Sequence, residues 1–430
     1  MALVAAAVAA ASVLVAQRWQ ESLRAPTLHH ADTAEARDMV AACSEQLLAV
    51  HRPHALLELA GSLSSSAMLL RPPPLVHGAR ESQLFELADG GTARLDWQHP
   101  TGGAKHARGC VLLLPGLNNS SSSSYVQHTM AHLCRAGLSA VCIDYRGVGG
   151  LPLSSSRVGC ADAWRDLPFA VDAIRALLEG VGNGNVPLAA IGFSMGGAVL
   201  TKFLAVTGEK TPFCAAVTVS SPFALSAAMR TLEASVHARI ANFGLTQLAK
   251  LNFLGHIGSH RAHLHGIDWR GFLLSASLRQ LEESVICKLH GYDTAEHYYE
   301  ANRPDFLKVR TPLLCVHAED DPVIAIGDVP VANMIANPRV VLAVTRRGGH
   351  LGWTGGTFKS PWAPTWAELL VVRFVISQIE SGKSTGESGK SLRESGVSPG
   401  QDKRELAHEP KRLADEAARN RSAWGPMSRL

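Results

Sequence analysis

Three short stretches carry the residue types that acyl chemistry needs. Residues 189–199 read AAIGFSMGGAV, which sets Ser194 in a G-x-S-x-G pattern between two small apolar runs. A serine hydroxyl is a poor nucleophile until an imidazole takes its proton, and the imidazole in turn needs a carboxylate to hold its tautomer. Both partner types occur downstream. AEDDPV (318–323) places Glu319, Asp320 and Asp321 just after the apolar run LLCVH, and RRGGHLGW (346–353) places His350 in a glycine-flanked loop after PRVVLAVT. A plain serine at a strand-to-helix turn would predict no such partners. Ser194 is therefore read as a nucleophile, His350 as its base, and one of the two adjacent aspartates as the orienting acid.

Tetrahedral oxyanions need hydrogen-bond donors. The backbone N–H directly after the nucleophile, that of Met195, is one. The loop LLLPGLNNSSSSSY (112–125) supplies the second: Gly116 permits the turn that aims the N–H of Leu117 inward. The serines that follow read equally well as part of that loop or as a flexible low-complexity insert, and receive no chemistry.

The elements that must position these groups alternate in type. GCVLLLPG, LSAVCIDYRG, VPLAAIGFS, FCAAVTVSSP, TPLLCVHAEDD and PRVVLAVT read as strands. ADAWRDLPFAVDAIRALLEG, MGGAVLTKFLAVTG and PTWAELLVVRFVISQI read as helices, the first carrying Trp164, Leu167, Val171, Ile174, Leu177 and Leu178 at helical spacing despite Pro168. Strands separated by helices predict a mostly parallel sheet covered on both faces. The segment from about 221 to 310 is too long for a plain crossover. Its apolar stripe Val236, Ile240, Phe243, Leu248 and Leu251 predicts a helical lid that packs on the main domain.

Composition bounds the rest. Hydrophobic residues make up 46% of the 430 and charged residues 18%, which excludes a largely disordered chain. The net charge of +4, without basic runs interleaved with aromatics, excludes a nucleic-acid partner. The eight cysteines form no C-x-x-C pair and read as free thiols in a reducing compartment.

Boundaries follow from the same reading. Residues 1–24 begin with a run that is apolar and uncharged from Ala2 to Ala16, followed by Arg18, Trp19 and Arg24. As a helix that run covers about 22 Å, less than the hydrocarbon core of about 30 Å. It predicts a single N-terminal membrane anchor acting through residues 1–20, with the catalytic domain on the cytosolic side. A plastid or other organelle transit peptide is the alternative; a cleaved signal peptide lacks its basic n-region. Residues 25–79 read as a helical and then irregular extension ending at Pro72-Pro73-Pro74, residues 80–380 as the catalytic domain, and the Ser/Gly-rich residues 381–430 as a disordered tail.

With these motifs in hand the chain resembles the YheT-like branch of the α/β-hydrolases, which includes membrane-anchored ABHD-type esterases and plant homologues. The resemblance runs from about Arg80 to Gln378. It rests on ADGGTARLDW, LPGLNNSSSSSYV, DYRGVGG, GFSMGGAVLTKFL, GYDTAEHYYE, HAEDDPV and GGHLGW. It implies the α/β-hydrolase fold, a mostly parallel sheet with a lid insertion, and serine hydrolase or acyltransferase chemistry on lipid-like acyl esters. The implied triad is Ser194–Asp321–His350, because the acid of this fold precedes a short Pro/Val/Ile run such as Pro322-Val323-Ile324. No cofactor and no metal are implied. Departures lie in the oxyanion loop, where Asn118-Asn119 replaces the usual Thr-Gly and Pro115 a frequent histidine, and at Ala198 and SPFAL.

Two further features are weighed. His256, His260, His263 and His265 lie close enough to suggest a metal, but no acid or cysteine completes the set and Gly255 and Gly258 weaken the helix. Asn118 and Asn119 each begin an N-x-S sequon at the mouth of the site, which predicts a compartment without glycosylation. The favoured reading is a serine esterase cleaving a small-molecule acyl ester or lipid. The alternatives are an acyltransferase and a non-catalytic binding protein of the same fold.

Overall fold

Continuous apolar runs become strands buried on both faces, as parallel pairing requires. The structure, a computed structural model, describes residues 13, 24–48, 51, 61–74, 80–257, 264–355 and 362–384. Its strands are β1 (Thr27–His30), β2 (Arg80–Glu86), β3 (Thr92–Gln98), β4 (Cys110–Leu114), β5 (Ser139–Asp144), β6 (Leu188–Phe193), β7 (Phe213–Val219), β8 (Leu313–Ala318) and β9 (Val340–Thr345). They form one sheet in the order β1-β9-β8-β7-β6-β4-β5-β3-β2. The six strands from β5 across to β9 are parallel. Strand β3 runs against β5, β2 against β3, and β1 against β9. The α/β fold is as the sequence predicts.

Helices cover both faces. They are, in chain order, α1 (Ala34–Ala42), α2 (Ser44–Leu48), α3 (Gly61–Leu70), α4 (Ser124–Arg135), α5 (Leu167–Gly180), α6 (Met195–Thr207), α7 (Leu225–Ala234), α8 (Val236–Ile257), α9 (Trp269–Leu274), α10 (Leu278–Leu281), α11 (Cys287–His290), α12 (Ala295–Ala301), α13 (Val331–Ile335) and α14 (Trp366–Ser384). One core layer joins α5 and α6 to the sheet through Leu112, Leu114, Ile174, Val199 and Phe203. The opposite layer joins α4 and α14 through Val111, Leu113, Val126, Leu370 and Phe374. A third cluster, built on Met229, Ala249, Phe272, Val285 and Tyr298, lies among the helices between β7 and β8. All eight cysteines are free.

Strand β4 lies between β5 and β6, so the chain leaves it in opposite directions across the sheet. Such a switch point opens a crevice at the carboxyl ends of the strands. The loop after β4 carries Leu117 and the turn after β6 carries Ser194.

Several local expectations are corrected. The extension expected to be only helical and irregular contributes β1, whose TLHH sequence has no strand pattern of its own and is fixed by pairing with β9. The helix expected from Ala161 starts at Leu167; Ala161–Arg165 is a 3₁₀ turn, and Pro168 occupies the first turn of α5, where its missing N–H costs nothing. The serine run is ordered: Ser121 donates its N–H to Asp144 Oδ1 at 2.7 Å and Ser124 opens α4. The apolar stripe of α8 faces outward, with Val236, Ile240, Phe243, Leu248 and Leu251 between 52% and 69% exposed. The buried face carries Asn242, Thr246, Ala249 and Lys250 instead. Asn242 Oδ1 accepts from Leu278 N, and Lys250 donates to the carbonyls of Leu273 and Ser275.

The membrane-associated placement through a single N-terminal anchor is not supported: among the described residues no helix is long and apolar enough to cross a membrane. The expected anchor and targeting segment at 1–24 lies outside the described residues except at Val13 and Arg24, as does the tail beyond 384. His260 and His263 of the histidine group are outside them too.

Candidate active site

Ser194 sits between the last residue of β6 and the first of α6 with φ +51° and ψ −123°. A β-carbon makes positive φ costly, on the order of 1–3 kcal/mol, so the surroundings must hold it. They do so through its own backbone: the Ser194 N–H donates to Val219 O at 2.8 Å and its carbonyl accepts from Gly197 N at 2.9 Å. The flanking glycines are required by close backbone approach. A β-carbon on Gly192 would lie 2.5 Å from Gly197 Cα, and one on Gly196 would lie 2.1 Å from Leu114 O. The spacing of G-x-S-x-G is thus the spacing of two backbone crossings around the serine.

His350 Nε2 lies 2.9 Å from Ser194 Oγ, and His350 Nδ1 lies 2.9 Å from Asp321 Oδ2 and 3.1 Å from Oδ1. Asp321 is buried and its Oδ1 also accepts the N–H groups of Val323 and Ile324 at 2.8 and 2.9 Å. Burial alone would raise its pKa, but the charge and hydrogen bond of His350, with His317 and the Ile324 N–H, outweigh burial and hold it below the ordinary carboxylate value. Asp320 points elsewhere. Its Oδ1 accepts from Gly349 N at 2.9 Å and its Oδ2 lies 3.5 Å from Arg347. Burial raises its pKa, against the Gly349 N–H and Arg347. The adjacent aspartates therefore divide: one touches the imidazole, the other shapes the loop that carries it.

The loop after β4 lies against the same serine. The Gly116 N–H donates to Tyr125 Oη at 3.0 Å, and Leu117 is the next residue of the loop. A β-carbon on Gly116 would approach Ser194 Cβ to 3.1 Å, so the loop passes directly over the serine. Asn118 has φ +59°, a conformation that asparagine tolerates better than most residues. That accounts for Asn118 in this turn. Its side chain accepts from Asn252 of α8 at 3.2 Å. Met195 opens α6 and so stands at the positive end of its helix dipole.

Leu117 and Met195 also line a pocket of about 670 Å³, counted with the space open to solvent at its mouth. The remaining wall is mostly apolar and includes Val148, Leu153, Phe253, Leu281 and Val285. Arg146 reaches the pocket with its charge balanced by Asp89 at 2.6 Å and Asp166 at 2.7 Å. Glu282 is the acid in the lining. Tyr299 Oη donates to it at 2.5 Å, and burial pushes its pKa up to about 7 against that bond and Arg279. No sequence motif marks Glu282. It begins a π-helical turn, Glu282–Ile286, and such turns are frequent at functional sites. The motif GYDTAEHYYE places Tyr298 in the wall, its hydroxyl accepting from Ala161 N at 2.8 Å.

A serine on a strained strand-to-helix turn of a mostly parallel sheet, facing an aspartate after β8 and a histidine after β9, defines the α/β-hydrolase class of proteins. The sequence pattern of the Alpha/beta hydrolase family matches residues 111–355, and the chain belongs to that family, in its YheT/ABHD-type branch. It is 31% identical over 331 residues to mouse Phospholipase ABHD3, covering 74% of this chain and 77% of that protein. It is 27% identical over 301 residues to the Putative esterase YheT of Escherichia coli K12, covering 70% and 85%. Among solved structures, a soluble variant of monoglyceride lipase from Saccharomyces cerevisiae aligns with 72% of this chain and 99% of its own at TM-score 0.47 and 15% identity. The chain is a hydrolase of this fold.

Proposed function

We propose that this protein is a serine hydrolase that cleaves carboxylic esters with a sizeable apolar acyl group through an acyl-enzyme on Ser194. The observation that carries the reading is the unbroken hydrogen-bonded line from Ser194 Oγ through the His350 ring to Asp321, with 2.9 Å at each step. The names of the similar proteins, a phospholipase and a putative esterase, support ester substrates of lipid type.

The steps follow from the geometry. Ser194 Oγ attacks the carbonyl carbon as its proton passes to His350 Nε2, and Asp321 holds Nδ1–H and stabilises the imidazolium. The carbonyl oxygen, now an oxyanion, accepts from the N–H groups of Leu117 and Met195. The imidazolium returns the proton to the leaving alkoxide, the C–O bond breaks, and the alcohol departs. Water then gives a proton to His350 and its hydroxide to the acyl carbon. Collapse frees the carboxylic acid and returns the proton to Ser194. The apolar wall of the pocket receives the acyl chain, whose burial contributes about 0.8 kcal/mol per methylene.

p-Nitrophenyl esters of increasing acyl length test this reading. The expected result is a kcat/KM that rises with each added methylene until the pocket is filled. Turnover that is insensitive to acyl length, or absent for every ester, would overturn it.

A further inference from the structure

The loop that carries His350 has little internal support. Gly348, Gly349 and Leu351 all have positive φ, and Trp353 N to Gly348 O at 2.9 Å is the bond that closes it. Thr345 Oγ1 donates to Arg347 O at 2.7 Å, and several other backbone groups of the loop are held from outside. Leu351 N donates to Ser220 Oγ at 3.3 Å, and Gly349 N donates to Asp320. The N–H of His350 itself donates to Ser65 Oγ at 2.7 Å, and that hydroxyl donates onward to Gly61 O at 2.6 Å. The neighbouring Ser64, fully buried, donates to Gly348 O at 3.3 Å.

Ser64 and Ser65 lie on α3, outside residues 111–355 that match the family. The helix is seated against the loop with no room to spare. A β-carbon on Gly349 would meet Gly61 O at 2.2 Å, one on Gly352 would meet Ser64 Oγ at 2.0 Å, and one on Gly61 would meet Asp320 O at 1.9 Å. The far end of α3 is fixed as well. Arg71 pairs with Glu368 at 2.5 Å, both side chains buried, and donates to Ala363 O at 3.2 Å. Both hydrogen-bonding functions of the Ser65 hydroxyl are therefore used, one on the helix and one on the backbone of the base.

We infer that Ser65 is a positioning residue for His350, and that α3, though outside the family's matched span, is a working part of the active site. The inference rests on the reading of His350 as the base of an ester hydrolase. A fixed His350 backbone sets where Nε2 stands relative to Ser194 Oγ. Displacement of a reacting group by about 1 Å can cost about a hundredfold in rate. The hydroxyl acts on the chemical step and makes no contact with the pocket.

The test uses the full chain and four proteins: wild type, Ser65→Ala, Ser65→Thr and Ser66→Ala. The last removes a hydroxyl on the same helix whose one bond among the described residues is to Ser62 O. The readouts are kcat and KM on a p-nitrophenyl ester, the fluorophosphonate labelling rate, and Tm. The expected result is a fall of about tenfold or more in kcat and labelling rate for Ser65→Ala at unchanged KM. Ser65→Thr, which keeps the hydroxyl, recovers most of that loss, and Ser66→Ala stays within twofold of wild type. A Ser65→Ala protein within twofold of wild type overturns the inference and leaves the hydrolase reading intact. A loss that threonine does not recover, or that Ser66→Ala shares, also overturns it, since helix stability would then be the cause. A wild type that neither labels nor turns over removes the reading and the inference together.

Discussion

His350 Nε2 stands 2.9 Å from Ser194 Oγ although the two residues are 156 positions apart. Six parallel strands make that meeting possible: the serine follows β6, the histidine follows β9, and β7 and β8 lie between them. The side chain of Asp321, after β8, closes the line from the other side of the imidazole.

That geometry separates the two adjacent aspartates. Asp321→Asn removes the charge that stabilises the imidazolium and is expected to lower kcat by about 10⁴ with little change in KM. Asp320→Asn keeps an acceptor for the Gly349 N–H and is expected to stay within about tenfold of wild type. Steady-state kinetics of the pair decides the assignment, and the reverse order would reassign the acid.

The nucleophile turn leaves no space at Gly196, where a β-carbon would lie 2.1 Å from Leu114 O. Gly196→Ala is expected to destabilise the fold by about 1–3 kcal/mol and to abolish turnover, because β4 and α6 must move apart beneath the serine. Thermal unfolding with an activity assay measures both. Gly255→Ala serves as the control, since nothing lies within 4 Å of its added methyl.

Glu282 gives the pocket a pH dependence of definite sign. Its folded-state pKa is raised to about 7 by burial. Below that pH the carboxyl is neutral; above it a charge stands in the wall of the pocket proposed for the acyl chain. KM for a long-chain ester is expected to rise as pH passes upward through about 7, and to stay flat over that window in Glu282→Gln. Stability follows the same sign: the contribution is full below the ordinary carboxyl pKa and is lost as pH rises through about 7. Glu282→Gln should therefore gain Tm over wild type on the alkaline side only.

Much of this arrangement is legible in the chain itself. LLLP, AAIGF and LLCVH are short apolar runs without alternation bounded by turn residues, as strands buried on both faces are, and the chemical residues stand where those strands end. Other parts depend on tertiary contact. TLHH becomes β1 only because the edge of β9 is there to pair with it. Helix α8 is apolar on several faces, so its periodicity does not say which face is buried, and Asn242 and Lys250 decide it by bonding to the backbone at Leu278, Leu273 and Ser275. Ser65 is one serine among many in its segment. Its partner lies 285 positions away, and no local pattern marks such a pair. Glu282 likewise has no motif; its partner Tyr299 stands 17 positions further on.

Fluorophosphonate labelling of the wild-type chain beside Ser194→Ala tests whether Ser194 is the nucleophile. The expected result is one covalent adduct on the Ser194 peptide, ester turnover lost in step with labelling, and neither in Ser194→Ala. A folded wild type that takes no label and turns over no ester, or a label that persists in Ser194→Ala, would contradict it.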